Sequence, residues 1–274
     1  MGKTIDVSKK SLPEIANWAK TRKNDAQQSL REAHALFQHY LTHEKDLWAK
    51  GAIRQLLWET EKALGKHPLY HSQAGQDRFV HEHYFQTVSS GVFVEIGGFD
   101  GYHGSNSFFF EKILGWRGLV VEAASSYQQQ LRAVRSCDLL HAAVSDEDGE
   151  AEFTEVTSGY LQMSSLSSEL DEARQQLLLQ NPAHQERTTR VPTKRLDTLL
   201  REANLTRIDF CSIDVEGSER TILEAFDFSE FEISVFAVEN GDMAESGSFL
   251  DLFQPVGYDL VSILGADEIY AKPA

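Results

Sequence analysis

Two groups of residues in this 274-residue chain have types and spacing that could do chemistry. The first is "FVEIGGFDGYHGSN", residues 93–106, where an apolar run stops on Glu95 and passes into a loop carrying Gly97, Gly98, Asp100, Gly101 and His103. Glycines permit tight turns and close approach of a ligand to the backbone, and a helix opening near Ser105 and Asn106 offers N–H groups without intrahelical partners. Asp100 sits where a pyrophosphate would have to lie, G-x-G-x-x-G is absent, and no Gly-Lys-Ser/Thr follows, so the loop is neither an NAD fingerprint nor a P-loop. A nucleoside-like ligand with cationic character suits it better. S-adenosylmethionine, with its sulfonium, amino-acid end, ribose and adenine, has that make-up. The next apolar run, "GLVVEA", ends on Glu122 and Ala123 about 20 residues further on, where a carboxylate can accept from both ribose hydroxyls. A third, "LLHAAVSDEDG", ends on Ser145 and Asp146, and an Asp there can accept from the adenine amino group.

The second group is acidic. "SIDVEG" carries Asp214 and Glu216, and "FAVENGD" carries Glu239, Asn240 and Asp242. On neighbouring parallel strands, about 4.8 Å apart, the side chains at the two strand ends converge. Asp214, Glu239 and Asn240 then form an all-oxygen set suited to Mg²⁺ or Mn²⁺.

The elements that must position these groups follow from periodicity. From residue 91, short β-rich apolar runs ("VFVEI", "GLVVEA", "LLHAAV", "IDFCSIDV", "EISVFAVEN", "YDLVSIL") alternate with helix-period stretches at 105–115, 125–136 and 218–226. Near-continuous apolar strands with helices between them predict an α/β doubly wound domain whose parallel sheet is covered on both faces. Residues 150–192 interrupt the rhythm with "EAEFTEV", a Ser-rich "SGYLQMSSLSSE" and "LDEARQQLLLQ"; such an insertion suits a lid or acceptor-binding surface, or a plain helix and loop over the sheet. Upstream, apolar residues at threes and fours over residues 12–64 predict two or three amphipathic helices, and "GKHPLYHSQAGQD" ends them with Gly65 and Pro68. The expected organisation is a helical segment over residues 1–68, then one α/β domain over 69–274.

Composition excludes several classes. A formal charge of −16, from 26 basic and 42 acidic residues, repels phosphate backbones, so nucleic acid is a poor partner. Cys137 and Cys211 show no zinc-type spacing, and a reducing cytoplasm fits them best. No run reaches the roughly 18 apolar residues of a membrane span, the N-terminus lacks a signal-peptide core, and "MGKTID" puts Asp6 where a myristoylation signal needs Ser or Thr.

With "SQAGQD" at 72–77, the loop at 93–106, "AAVSDEDGEAEF", "SSLSS", "VPTKRLDTLL", "SIDVEG" and "DEIYAKP" in that order, the chain resembles the FkbM-type methyltransferases. They are a branch of the S-adenosylmethionine-dependent class I methyltransferases that commonly methylate hydroxyls of sugars and natural products. The resemblance implies a seven-stranded sheet with its last strand antiparallel. Glu95, Gly97, Asp100 and Gly101 would line the methionine end of the cofactor, Glu122 the ribose, and Ser145 with Asp146 the adenine. Gln73 and Asp77 would close the pocket, rather than being linker surface. Phe99 stands where the family loop usually has a small polar residue, and His103 where an aliphatic residue or Thr is usual.

A sugar hydroxyl is a poor nucleophile at neutral pH, so its transfer chemistry needs a base or a divalent cation. Asp214, which could also contact the cofactor, and His103 are the catalytic candidates; the Asp214, Glu239 and Asn240 set resembles that of metal-dependent sugar O-methyltransferases. His141 and His184 are further histidines, read more simply as a sheet residue and a surface residue. Phe108, Phe109 and Phe110 read as core. The helical N-terminus could form a homodimer, and a catalytically silent binding or scaffold protein is the rival reading.

Overall fold

The computed structural model describes residues 10–170, 172–241 and 247–273, the side chains of 172 and 173 excepted. Gly2, Asp6 and Asp242 therefore lie outside the described residues. The helical period over 12–64 gives two helices, α1 (Leu12–His43) and α2 (Leu47–Ala63). Ser11 opens α1 with a capping box, its backbone N–H and hydroxyl both donating to Glu14 at 2.9 and 2.8 Å. Asp46 caps α2 by accepting from the Ala49 N–H at 2.7 Å, and the short α3 (Gln76–Val80) follows.

The main sheet has seven strands: β1 (Val92–Ile96), β2 (Arg117–Val121), β3 (Asp138–Leu140), β8 (Arg207–Ile213), β9 (Glu232–Glu239), β10 (Asp259–Leu264) and β11 (Asp267–Ala271). Their order is β10-β11-β9-β8-β1-β2-β3, with β11 antiparallel to both neighbours and the other pairs parallel. The strands read as continuous apolar runs because both faces are covered. Val94 and Ile96 pack with Leu196, Leu199 and Leu200 of α7 (Leu196–Glu202) and with Ile222 and Leu223 of α8 (Glu219–Glu224). Phe93 on the opposite face packs with Phe109 and Phe110 of α4 (Phe108–Lys112) and Leu131 of α5 (Gln128–Val134). The core reading holds for Phe109 and Phe110, which are buried, whereas Phe108 is half-buried.

"LLHAAV", expected as one strand, is two. β3 stops at Leu140, and β4 (Ala143–Ser145) belongs to a second, four-stranded sheet with β5 (Gly149–Ser158), β6 (Ser165–Leu166) and β7 (Gln185–Arg195), in the order β4-β7-β5-β6. The break falls at His141, whose Nε2 is 2.9 Å from the Ala123 carbonyl. Residues 150–192 thus contribute a paired sheet as well as α6 (Glu172–Gln180).

α2 seats the helical pair on the sheet edge. Arg54 donates to the Ile263 carbonyl of β10 at 2.8 Å, and the buried Trp58 indole donates to the Ser72 carbonyl at 3.0 Å. At Gly51 a Cβ would stand 2.6 Å from Ile263 Cγ2 and 2.7 Å from the Gly265 carbonyl oxygen. Since a backbone oxygen cannot swing aside, Gly51→Val is expected to lower stability by roughly 1–3 kcal/mol, read as a drop in the urea midpoint at unchanged m-value.

Candidate functional site

Each strand that ends at the cleft does so differently. Glu95, next to last in β1, is buried and fully engaged: it accepts from Ser105 Oγ at 2.9 Å, the Asn106 N–H at 2.7 Å and Ser107 Oγ at 2.6 Å. The wholly buried Arg135 adds an ion pair to Glu95 at 3.1 Å, donates to Ser107 Oγ at 2.6 Å, and pairs with Glu111. Despite burial, Lys112 and Arg135 hold the Glu111 carboxyl down at about 2. Glu95 thus anchors the glycine loop as well as lining its polar side. Asp100 is spent within the loop, accepting from the Tyr102 and His103 N–H groups at 2.9 Å each. Its second oxygen lies 2.6 Å from His103 Nδ1. Burial works against ionisation of Asp100, yet the His103 and backbone hydrogen bonds hold its carboxyl below the usual range.

The glycines answer to crowding. Gly97 has φ +87°, and a Cβ there would fall 1.7 Å from the Asp214 carbonyl oxygen, so the ends of β1 and β8 touch through backbone alone. At Gly98 a Cβ would meet Val120 Cγ1 at 2.2 Å. Beyond β2, the Glu122 carboxylate accepts from the Phe99 N–H at 2.7 Å and the Ala124 N–H at 2.6 Å. Burial, opposed by those two bonds, pushes Glu122 up to about 7.

Between these ends lies a cleft of about 680 Å³, counting its open mouth. One part is apolar, walled by Ala142, Ala143, Val144, Phe153 and Leu166; Phe99 and Tyr127, with ring centroids 4.4 Å apart, lie beside Glu122. Gln73, Gly97, Phe99, Gln162 and Asp214 also line an adjoining polar cavity of about 290 Å³ that contains Glu95, His103, Ser105 and Asn106. The Asn106 amide donates to Ser212 Oγ at 2.9 Å, while its own Oδ1 is buried without a partner.

The acidic residues gather at the far side. Asp214, Glu219 and Glu239 each bring a carboxylate oxygen to within 4.8 Å of the others. Glu219 also accepts from the Val215 N–H at 2.8 Å and the Gly217 N–H at 3.0 Å. Burial and the charges of Asp214, Glu216 and Glu219 push the Glu239 carboxyl well above its ordinary value, and burial raises Asp214, its hydrogen-bond partner, as well. Burial and neighbouring Asp214 raise Glu216 to about 8, and burial raises Glu219 to about 7. Glu216 holds a left-handed φ of +64°, and Arg174 of α6 reaches both its carboxylate and its carbonyl.

Several expected positions fall elsewhere. Ser145 and Asp146 do not line the cleft; Asp146 is exposed and bonds Ser145 at 3.0 Å, because the turn at His141 presents Ala142–Val144 instead. The Asn240 amide is turned to Glu268, donating to it at 2.7 Å, and to the Gly247 carbonyl at 2.9 Å. Asp77 is buried behind the cleft, accepting from Ser72 Oγ at 2.5 Å and the His71 N–H at 2.6 Å, and Gly101 packs against Leu131 and Arg135. Gln73, Glu122, Ala123 and the 95–106 loop do border the two cavities, as does Asp214. His184 pairs with Glu186 at 3.0 Å in the insertion. Sequence reasoning missed Glu219, five residues after Asp214, and the buried Arg135, which carried no local signal.

A doubly wound, mostly parallel seven-stranded sheet with an antiparallel last strand and a cleft over the carboxyl ends of β1 and β2 is a class I methyltransferase, Rossmann-like fold. Residues 95–260 match the family described as Methyltransferase FkbM domain. The chain belongs to that family, and S-adenosylmethionine is the methyl donor such membership implies. Among solved structures, a TehB-like SAM-dependent methyltransferase from Corynebacterium glutamicum is 10% identical with a TM-score of 0.40, over 79% of this chain and 94% of that one. A mutant of MtNAS is 11% identical with a TM-score of 0.33, over 92% of this chain and 78% of that one. None of the curated proteins matches the sequence. No described helix is long and apolar enough to cross a membrane.

Asp77, raised by burial to about 6, and Glu122, raised to about 7, bind protons more tightly folded than unfolded. Their contribution to stability is complete below the unfolded carboxylate range and is lost as pH rises through those values, by up to about 1.4 kcal/mol per pH unit for each group. The ligand-free protein is therefore expected to melt at progressively lower temperature from pH 5 to pH 8, with a shallower slope in Glu122→Gln.

Proposed function

We propose that the protein transfers the methyl group of S-adenosylmethionine to a hydroxyl of a sugar or of a glycosylated or other natural-product acceptor, with a divalent cation assisting. The observation that carries this reading is the junction, in one cleft, of an apolar slot, the buried Glu122 carboxylate and Asp214, which belongs to an acidic trio with Glu219 and Glu239. The apolar wall of Ala142–Val144, Phe153 and Leu166 suits the adenine, Glu122 the ribose hydroxyls. At the polar end, the unpartnered Asn106 Oδ1 is an acceptor placed for the donor's ammonium.

Two groups can take the acceptor's proton as its oxygen bonds to the methyl carbon and the S–C electron pair leaves with sulfur. His103 has Nδ1 tied to Asp100 and so leaves Nε2 for the hydroxyl. Asp214, raised by burial and hydrogen-bonded with Glu239, is the second. The cation fits the chemistry of the donor set: Asp214, Glu219 and Glu239 are hard oxygen ligands close enough to share one ion. Bound there, Mg²⁺ or Mn²⁺ would acidify and orient the acceptor hydroxyl. The amide of Asn240, expected as a further ligand, bonds Glu268, which leaves its Oδ1 as the ligand atom it would offer.

Two measurements test the reading. Calorimetry should show S-adenosylmethionine binding that weakens about tenfold in Glu122→Gln, the loss of roughly one charge-assisted hydrogen bond; no heat at millimolar ligand would favour a silent scaffold. With S-adenosylhomocysteine release as readout on a panel of sugar acceptors, exhaustive chelation should abolish turnover and Mg²⁺ or Mn²⁺ restore it. Full activity after chelation removes the cation and leaves the methyl transfer standing.

A further inference from the structure

Away from the cleft, a second cavity lies where α2 meets α3. Arg54, Leu57, Trp58 and Glu61 share one face of α2 at helical spacing, and α3 brings Arg78 and Phe79 to the same cavity. Its volume is about 570 Å³, counting the open mouth, which is the size of a small-molecule site. Among the described residues it shares no lining residue with the cleft. The charges around it are unequally matched. Glu61 lies 2.9 Å from both His34 Nε2 and His67 Nε2, 3.3 Å from Lys66 Nζ and 3.4 Å from Arg78. Burial works against ionisation of Glu61, yet the His34, His67 and Lys66 hydrogen bonds hold its carboxyl below the ordinary value. Glu82, also in the wall, pairs with Arg78 at 2.9 Å. Arg54 differs: among the described residues it has no ion-pair partner, and its guanidinium donates only to the Ile263 carbonyl. Burial pulls that guanidinium below its ordinary value, and no carboxylate offsets the effect.

We propose that this cavity is a second ligand site, for a small organic anion whose carboxylate or phosphate group is received by Arg54 and whose apolar body packs on Leu57, Phe79 and Leu264. A guanidinium carries five N–H donors in a fixed fork, so the bond to Ile263 leaves most of them for a ligand. The fork matches a carboxylate or a phosphate with two parallel hydrogen bonds. A half-buried cation without a counter-ion is the feature that selects an anion here, since the acidic groups of the wall are already paired and an incoming cation would meet only repulsion from Arg54. Leu57, Ala74, Phe79 and Leu264 supply apolar surface beside that charge, so the body of the ligand adds to what its head group gains. Because Arg54 joins α2 to β10 and Phe79 belongs to α3, the site exists only when these elements are docked. An occupant therefore stabilises the folded chain.

Calorimetry and thermal melting of the full chain test this, with phenyl phosphate and benzoate as probes and benzyl alcohol, benzylamine and inorganic phosphate as controls. The two aromatic anions are expected to bind at least about tenfold more tightly than benzyl alcohol or benzylamine and to raise the melting temperature. Inorganic phosphate, lacking the apolar body, should bind more weakly than phenyl phosphate, and the tighter of the two aromatic anions identifies the head group. Arg54→Gln should abolish binding, and Arg54→Lys should keep part of it. Leu57→Glu places a carboxylate three residues from Arg54 on the same face of α2 and should also abolish binding, while leaving the bond to Ile263 in place. That variant decides the matter should Arg54→Gln fail to fold. Aromatic anions that bind no better than benzyl alcohol overturn the proposal, as does binding that persists in Leu57→Glu. So does binding that saturating S-adenosylhomocysteine displaces, which would put the anion in the cleft.

Discussion

The clamp of Arg135 on Glu95 is the interaction on which the cleft depends. A guanidinium with no exposure to water must have its donors satisfied and its charge balanced, because desolvating an ion is costly unless geometry compensates. Arg135 meets that condition with two carboxylates, two hydroxyls and the Gly101 carbonyl, at the end of α5. By holding Glu95, Glu111 and both ends of the loop at once, it turns a strand end into a fixed rim. The glycines then have only to fit the space that remains, with Gly97 pressed against the backbone of Asp214.

Charge is managed in opposite ways at the two sides of the cleft. Glu95 is neutralised from within the chain, whereas Asp214, Glu219 and Glu239 face one another, and burial there raises all three. A site built this way gains from any cation that enters, whether a proton, a metal ion or the sulfonium of the donor. Left-handed Glu216, held by Arg174 from the insertion, ties α6 to the same acidic turn. Backbone strain of this kind persists where surrounding contacts enforce it.

Much of the architecture was legible because it rests on local pattern. Continuous apolar runs marked the strands, the change from helical to strand period marked the end of the helical pair, and strand-end carboxylates marked the cleft. Glu122 and the Asp214–Glu239 pair follow directly from strands ending where ligands settle. Legibility failed where long-range geometry decides. "LLHAAV" has one hydropathy pattern and two sheets, with the break at His141, whose ring bonds the Ala123 carbonyl, and the wall of the apolar slot passes from Ser145 and Asp146 to the apolar Ala142, Ala143 and Val144. Arg135, among the surface-like residues of a helix end, shows nothing in sequence of the two carboxylates it joins. Asn240 follows Glu239 just past the end of β9, and its amide goes to Glu268 and the Gly247 carbonyl, contacts that its place in the sequence does not show.

Ser72 stands at a crossing of these parts. Its carbonyl receives the Trp58 indole of α2, its hydroxyl grips Asp77, and its backbone bridges to Gly104 of the glycine loop. Three segments distant in sequence therefore share one residue's hydrogen bonds, and none can shift without straining the others. A molecule that stiffens the loop also stiffens the seat of α2, so slower amide exchange at the cleft should be accompanied by slower exchange in a helix that never touches the ligand.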